Sequence, residues 1–252
     1  MKTNKQCILL ACGCPRSGTT ALWTMLTSNP MIVLGVERYG DYFLRNKTLS
    51  EELFTYDRFF DLRNGDTFYT NLDEFSSYYN QARSRFHDAY YIGDKIPRIY
   101  ESIDNIITDI PSVRIVMTLR DIYEVAMSYK NRQMKNEGHI WPTHFGVEKA
   151  VEDWNRSLVS ANRQSQNHNF ICVSYENMFY SDSDIFIRLY DWLGVEPQSN
   201  VNEGTKWMRG RAEVLRNQRC DNLSISDREY IKEYANHKLF YDLSTRYHKI
   251  YY

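Results

Sequence analysis

The stretch Gly13-Cys14-Pro15-Arg16-Ser17-Gly18-Thr19-Thr20 is the feature that most constrains this chain. An apolar run over residues 7–12 leads into it, and Ala21-Leu22-Trp23-Thr24-Met25-Leu26 follows it. The order reads as buried strand, tight glycine loop, helix. Such a loop aims successive backbone N–H groups and a helix N-terminus at one point, which makes an anion site. Gly13 and Gly18 stand where the main chain must bend sharply and approach a ligand closely. Hydroxyls at Ser17, Thr19 and Thr20 can donate to phosphate oxygens, and Arg16 supplies fixed positive charge. The glycine spacing nearly matches the triphosphate loop G-x-x-x-x-G-K-[ST], but Thr19 occupies the lysine position. That lysine reaches the β- and γ-phosphates, so its absence argues against an ordinary kinase or ATPase. An atypical nucleotide kinase without the lysine is the alternative reading.

The rest of the chain alternates strand-like and helix-like segments. Strands are expected at 31–34, 90–93, 113–119 and 170–173, with Asp94-Lys95-Ile96-Pro97 ending the second of these. Helical spacing marks 73–87, a run carrying Ile99, Ile103, Ile106 and Ile107, and the segments 122–129, 151–161 and 185–193. Gly194 closes the last of these as a C′ residue. Ser226-x-x-Glu229 reads as a capping box opening a C-terminal helix. With no internal repeat, this implies one α/β domain over residues 1–252: a mostly parallel sheet wrapped by helices on both faces, with a P-loop-like strand-loop-helix. In such sheets ligands bind beyond the strand C-termini, and the opening loop, Glu37, Lys95, Arg120 and Tyr175 all fall there.

Composition removes several classes of function. A formal net charge of −1 gives no support for nucleic-acid binding or a polybasic membrane surface. No apolar run approaches the ~18 residues of a transmembrane span. The 5 Cys are odd in number and lack zinc-ligand spacing, so they read as reduced and structural in a cytoplasmic setting. No metal site is expected. Aromatics are plentiful at 20 Tyr, 12 Phe and 5 Trp, which suits an amphipathic acceptor cleft.

These segments together resemble the sulfotransferases that use 3′-phosphoadenosine 5′-phosphosulfate (PAPS). The loop Pro15-Arg16-Ser17-Gly18-Thr19-Thr20 is similar to that family's 5′-phosphosulfate loop. Thr118-Leu119-Arg120-Asp121 with Ser128, eight positions after the arginine, resembles its 3′-phosphate motif. Tyr175 in Val173-Ser174-Tyr175-Glu176-Asn177-Met178 looks like the tyrosine that contacts adenine. Arg209-Gly210-Arg211-Ala212 resembles the loop that closes on the 3′-phosphate in glycosaminoglycan sulfotransferases. By the same resemblance, Glu37 stands where the glycosaminoglycan and tyrosyl-protein branches carry their base. Lys95 in Asp94-Lys95-Ile96-Pro97 stands where they carry a lysine near the sulfuryl group.

The resemblance implies sulfuryl transfer from PAPS to an acceptor hydroxyl, leaving adenosine 3′,5′-bisphosphate (PAP). The acceptor would be a small molecule or a glycan, chosen by residues 39–90 and the loop 136–147. Each site residue also has a plainer reading. Glu37 could be a solvated surface residue or pair with Arg38, Lys95 could be a surface lysine beside Asp94, and Arg120 could pair with Asp121 or Asp153. Ser128 could be a helix-surface serine, Tyr175 a packing residue, and Arg209 and Arg211 solvated loop charges.

Overall fold

A computed structural model describes residues 6–68, 75–134, 142, 144–180, 184–197, 206, 208–210, 212–214 and 221–250, with side chains to 247. Five strands, each rich in aliphatic residues, form one sheet: β1 (Cys7–Gly13), β2 (Ile32–Val36), β3 (Tyr91–Lys95), β4 (Arg114–Leu119) and β5 (Phe170–Ser174). Their order is β2-β3-β1-β4-β5 and every pairing is parallel. β1 lies in the centre and is buried along nearly its whole length. Strands hidden on both faces read as continuous hydrophobic runs, as this one does. The expected α/β architecture is present: helices flank the parallel sheet.

Helix α1 (Thr19–Thr27) carries the chain away from the loop after β1. Helices α2 (Gly40–Asn46) and α3 (Tyr56–Phe60) and a 3-10 turn at Glu51–Phe54 build the aromatic segment after β2. Helix α4 (Ser76–Arg85) seals the free edge of β2. Tyr78 Oη accepts from Leu34 N at 3.0 Å and donates to Leu34 O at 2.7 Å, while Tyr79 Oη accepts from Val36 N at 3.2 Å. Those are edge groups that would otherwise template a further strand. Beyond β3 come α5 (Ile103–Asp109), and beyond β4 come α6 (Ile122–Met134) and α7 (Val147–Arg163). Helices α8 (Tyr175–Tyr180) and α9 (Ile185–Leu193) follow β5, and Gly194 closes α9 at φ 70°, as expected.

Three boundaries differ from the sequence expectation. Asp94 and Lys95 belong to β3 rather than to a loop after it, because their backbone groups pair with β2 and β1: Gly35 lies opposite Asp94, and both Val36 and Ala11 lie opposite Lys95. The isoleucine-bearing helix is broken in two. Pro97–Glu101 is a 3-10 turn, Ser102 leaves helical geometry at φ −149°, and α5 starts afresh. The helix Ile225–Tyr234, which is followed by a last helix His237–Ile250, is capped by Ser224 and Asp227, two residues ahead of the expected pair. Asp227 also receives the Lys130 ammonium from α6, a tertiary contact that favours this start. Residues 73–74 of the expected 73–87 helix, and most of the loop 136–147, lie outside the described residues.

Candidate active site

The C-terminal ends of all five strands open on one side of the sheet, and the candidate residues follow them directly. β1 delivers the loop. Gly13 has φ 153°, and a Cβ there would lie 2.3 Å from Thr118 Oγ1 and 2.6 Å from Ser17 Oγ. The space is taken by a buried bond between those two hydroxyls, 2.6 Å apart, which ties the loop to β4. The Ser17 hydroxyl is thus committed to the core, and its backbone N–H is bonded to Cys14 O at 2.9 Å. Pro15 is buried, Thr19 is nearly so and Thr20 is exposed. Gly18 takes the N-cap position of α1 at φ 96° with no side-chain cap. The first-turn N–H groups of α1 are therefore left for a ligand or solvent.

Arg16 adopts φ 72°, an uncommon conformation for an arginine. Two bonds explain why it persists. Its Nε donates to Ser128 Oγ on α6 at 2.9 Å, and its carbonyl accepts from Arg120 Nη1 at 3.1 Å. Arg120 and Ser128, paired in the sequence by spacing, meet in the structure around Arg16. Arg120 is 4% exposed. Its Nη2 donates to Glu124 Oε2 at 2.9 Å, and its Nε is buried with no partner among the described residues. Its guanidinium carbon lies 3.9 Å from the Tyr175 ring centroid.

Neither expected ion pair of Arg120 forms. Asp121 caps α6, accepting from Tyr123 N at 2.8 Å and Glu124 N at 3.3 Å. Asp153 is fully buried and receives Arg98, Lys149 and the Tyr129 hydroxyl instead. Trp154 on the same helix donates Nε1 to Arg120 O at 2.8 Å, so α7 fixes the end of β4. Glu176 bridges the ends of β4 and β5, accepting from Asp121 N at 3.0 Å and from Ser174 Oγ at 2.8 Å.

Tyr175 is 6% exposed and begins α8. Its ring abuts Gly18 closely enough that a Cβ there would lie 2.2 Å from Cδ2. The tyrosine therefore joins the loop and Arg120 into one cluster, packed from behind by Phe179 with ring centroids 4.7 Å apart. Arg209 donates to Met178 O on α8 at 3.2 Å, and a Cβ on Gly210 would meet nothing within 4 Å. Arg211 lies outside the described residues.

β2 and β3 supply a second group. Glu37 follows β2 at φ 51°, and its N–H extends the ladder to Lys95 O at 2.8 Å. Its carboxylate takes the Lys95 ammonium at 2.7 Å. Lys95 is buried, whereas a quarter of the Glu37 side chain reaches solvent. Both plainer readings are overturned. Lys95 is no surface lysine, and Glu37 does not pair with Arg38, which turns into the core to meet Asp66 at 2.7 Å. Arg38 also donates to Phe59 O at 2.9 Å and Asp61 O at 2.6 Å.

Sequence reasoning missed Asp94, which accepts from Arg38 N at 3.1 Å and Tyr39 N at 2.8 Å. Gly35 was a usable signal: a glycine inside a strand often marks a close approach, here of the Asp94 carboxylate. Asp66 and Glu124 carried no local pattern that distinguished them from surface acids. Among the described residues, no group of three or more His, Cys, Asp and Glu could hold a metal ion. No described helix is long and apolar enough to cross a membrane.

Comparison with known proteins adds the family. No curated protein matches the chain. Among solved structures, mouse sulfotransferase SULT7A1 complexed with PAP aligns at 13% identity with a TM-score of 0.52, over 94% of this chain and 84% of that one. The sulfotransferase domain of the Synechococcus olefin synthase aligns at 15% identity and TM-score 0.50, over 81% and 78%. The sulfotransferase domain from the curacin biosynthetic pathway aligns at 16% and 0.50, over 79% and 77%. At such identities the likeness is one of fold. The sequence itself goes further, because residues 9–199 match the profile described as Sulfotransferase family. That span runs from β1 past α9 and takes in every strand end around the site, so this chain belongs to the sulfotransferase family.

Proposed function

We propose that this protein transfers the sulfuryl group of PAPS to a hydroxyl of a sugar, lipid or natural product. The observation that carries the reading is the cluster of Arg16, Arg120 and Ser128 beside the uncapped start of α1. It offers two cationic side chains and a set of free N–H donors within one network. An unpartnered buried Nε on Arg120 is a donor waiting for an acceptor, and a phosphate oxygen supplies one. A donor with anions at both its 5′ and 3′ ends fits this arrangement. Within the loop Pro15 to Thr20, the backbone N–H groups of Arg16, Gly18, Thr19 and Thr20 hold the 5′-phosphosulfate, with Pro15 and Ser17 shaping the turn. Arg120 and Ser128 take the 3′-phosphate, Tyr175 lies by the nucleoside, and Arg209, Gly210 and Arg211 close over that end. The complex of SULT7A1 with PAP lends support by fold.

The reaction is an in-line displacement at sulfur. An acceptor oxygen forms a bond to sulfur while the bond to the bridging oxygen breaks, and that electron pair leaves on the 5′-phosphate of PAP. Glu37 accepts the acceptor's proton. The buried Lys95 ammonium orients Glu37 and faces the negative charge of the transferring group. Arg16 acts by charge alone, since a guanidinium does not give up its proton in water. Side-chain cations and N–H dipoles suffice for a group bearing one negative charge, and most of the catalysis is positioning.

Titration calorimetry with PAP and with ATP plus magnesium tests the assignment of donor. PAP binding with little ATP binding is expected; tight magnesium-dependent ATP binding without PAP binding points to the atypical kinase instead. A labelled-sulfate screen across sugars, phenols, lipids and peptides identifies the acceptor.

A further inference from the structure

Asp94 is a buried carboxylate that the reaction as described leaves without a task. It lies inside β3, is fully shielded from solvent and makes both of its recorded hydrogen bonds to the backbone of Arg38 and Tyr39. Those two residues directly follow Glu37. The turn they belong to is held at four further points. Glu37 N donates to Lys95 O at 2.8 Å, Gly40 N donates to Glu37 O at 3.0 Å, Arg38 is anchored in the core by Asp66, and Gly35 makes room for the Asp94 carboxylate. A Cβ on Gly35 would lie 2.8 Å from Asp94 Oδ1 and 2.6 Å from Arg38 Cβ. Glu37 itself sits at φ 51°, a backbone state that a glutamate keeps only when its surroundings impose it.

We propose that Asp94 is a positioning residue, which clamps the N–H groups of Arg38 and Tyr39 and so holds the Glu37 carboxylate against Lys95. The inference rests on the reading of Glu37 as the base. Asp94 touches neither donor nor acceptor; it acts through the turn. Burial pushes its carboxyl up to about 6, against the opposing pull of the two N–H bonds, Lys95 and Arg38. Asparagine has one carbonyl oxygen and would turn an N–H against the other donor, so it cannot reproduce the clamp.

Two measurements on the full chain test this. The first is release of sulfate from 35S-labelled PAPS with water as acceptor, in wild type, Asp94→Asn, Glu37→Gln and the double variant, with PAP affinity measured alongside. A displacement of the base of about 1 Å costs up to ~100-fold. Asp94→Asn is therefore expected to slow release by about 10- to 100-fold, to leave PAP affinity within about twofold, and to add nothing in the Glu37→Gln background. Losses that multiply in the double variant, or wild-type release by Asp94→Asn, overturn the proposal. Undiminished release by Glu37→Gln overturns the base assignment itself, a separate failure.

The second is the crystal structure of Asp94→Asn with PAP bound, which needs no turnover. Departure of Glu37 from positive φ and loss of its contact with Lys95 are expected. An unchanged Glu37 overturns the proposal. If Asp94→Asn does not fold, Asp94→Glu keeps both oxygens on a longer stem. It should either displace the turn and slow release about tenfold or keep both the turn and wild-type release, and a displaced Glu37 with wild-type release, or slow release with an undisturbed turn, overturns the proposal.

Discussion

Replacing Arg120 with alanine isolates the proposed 3′-phosphate contact, and the structure sets its size. Two of the five guanidinium N–H donors are engaged, one on Nη1 with Arg16 O and one on Nη2 with Glu124, and Nε is a buried nitrogen with no partner among the described residues. One charge-assisted hydrogen bond to phosphate contributes ~1.5–3 kcal/mol. At 1.4 kcal/mol per tenfold, that is about 10- to 150-fold in affinity. The comparison that matters is between PAP and AMP, which differ by the 3′-phosphate alone.

Wild type should bind PAP tighter than AMP by that factor, and Arg120→Ala should bind the two nearly alike. Arg120→Lys should fall between, because an ammonium keeps the charge without the fork. Calorimetry at fixed ionic strength measures all six affinities, and circular dichroism checks that the variants remain folded. A PAP-to-AMP ratio unchanged in Arg120→Ala would falsify the assignment. A uniform weakening toward both nucleotides would instead reveal a role in shaping the loop through Arg16 and Tyr175.

Glu37→Gln should abolish transfer while leaving PAP affinity nearly intact, since Glu37 lies with β2 and β3, apart from the arginine cluster; substantial remaining turnover assigns the base elsewhere. Asp66 makes a stability prediction. Burial alone would raise its carboxyl, but hydrogen bonds from Arg58 and Arg38 outweigh that and hold it at about 2. Its folded value lies below its unfolded one, so the stabilisation is present above pH ~4 and is lost as pH falls toward 2, amounting to roughly 2 kcal/mol. Asp66→Asn strands the buried Arg38 and should cost roughly 3–5 kcal/mol, or about 6–20 °C in Tm. A thermal melt within 2 °C of wild type, to order of magnitude, refutes that account. The thiols of Cys12, Cys14 and Cys172 are buried, and burial pushes each well above the ordinary thiol range. Mass-mapped alkylation of the native protein at pH ~8 should leave these three unmodified until the chain unfolds, and rapid labelling of Cys14 contradicts its burial.

What could be read from the sequence followed from local rules. The loop after β1, the arginine ending β4 and the serine eight positions later all depend on spacing along one strand or helix. The edges of that legibility are equally physical. Asp94 and Lys95 look like the exit of a strand because charged residues seldom sit in a central ladder, and only the neighbouring strands reveal that they are inside it. Arg38 looks like the natural partner of Glu37, yet the left-handed turn at Glu37 separates the two side chains. Arg38 goes inward to Asp66 while Lys95, from β3, takes its place. Spacing likewise suggested that Arg120 and Ser128 converge. It held no trace of Arg16 as the residue they converge on, because that meeting is a property of β1 lying beside β4.

The bonds that shape the loop also determine when it can exist. Ser17 meets Thr118 across 101 residues, Arg16 meets Ser128 across 112, and Arg120 meets the Arg16 carbonyl across 104. β1 is the central strand, and its neighbours are encoded some 80 and 100 residues downstream. Residues 13–20 therefore carry the motif but not, by themselves, its shape. The glycine loop takes its final shape only when β4 and α6 close on it. The anion site written in residues 13–20 is thus completed by side chains from residues 118–128, a long-range closure rather than a local one.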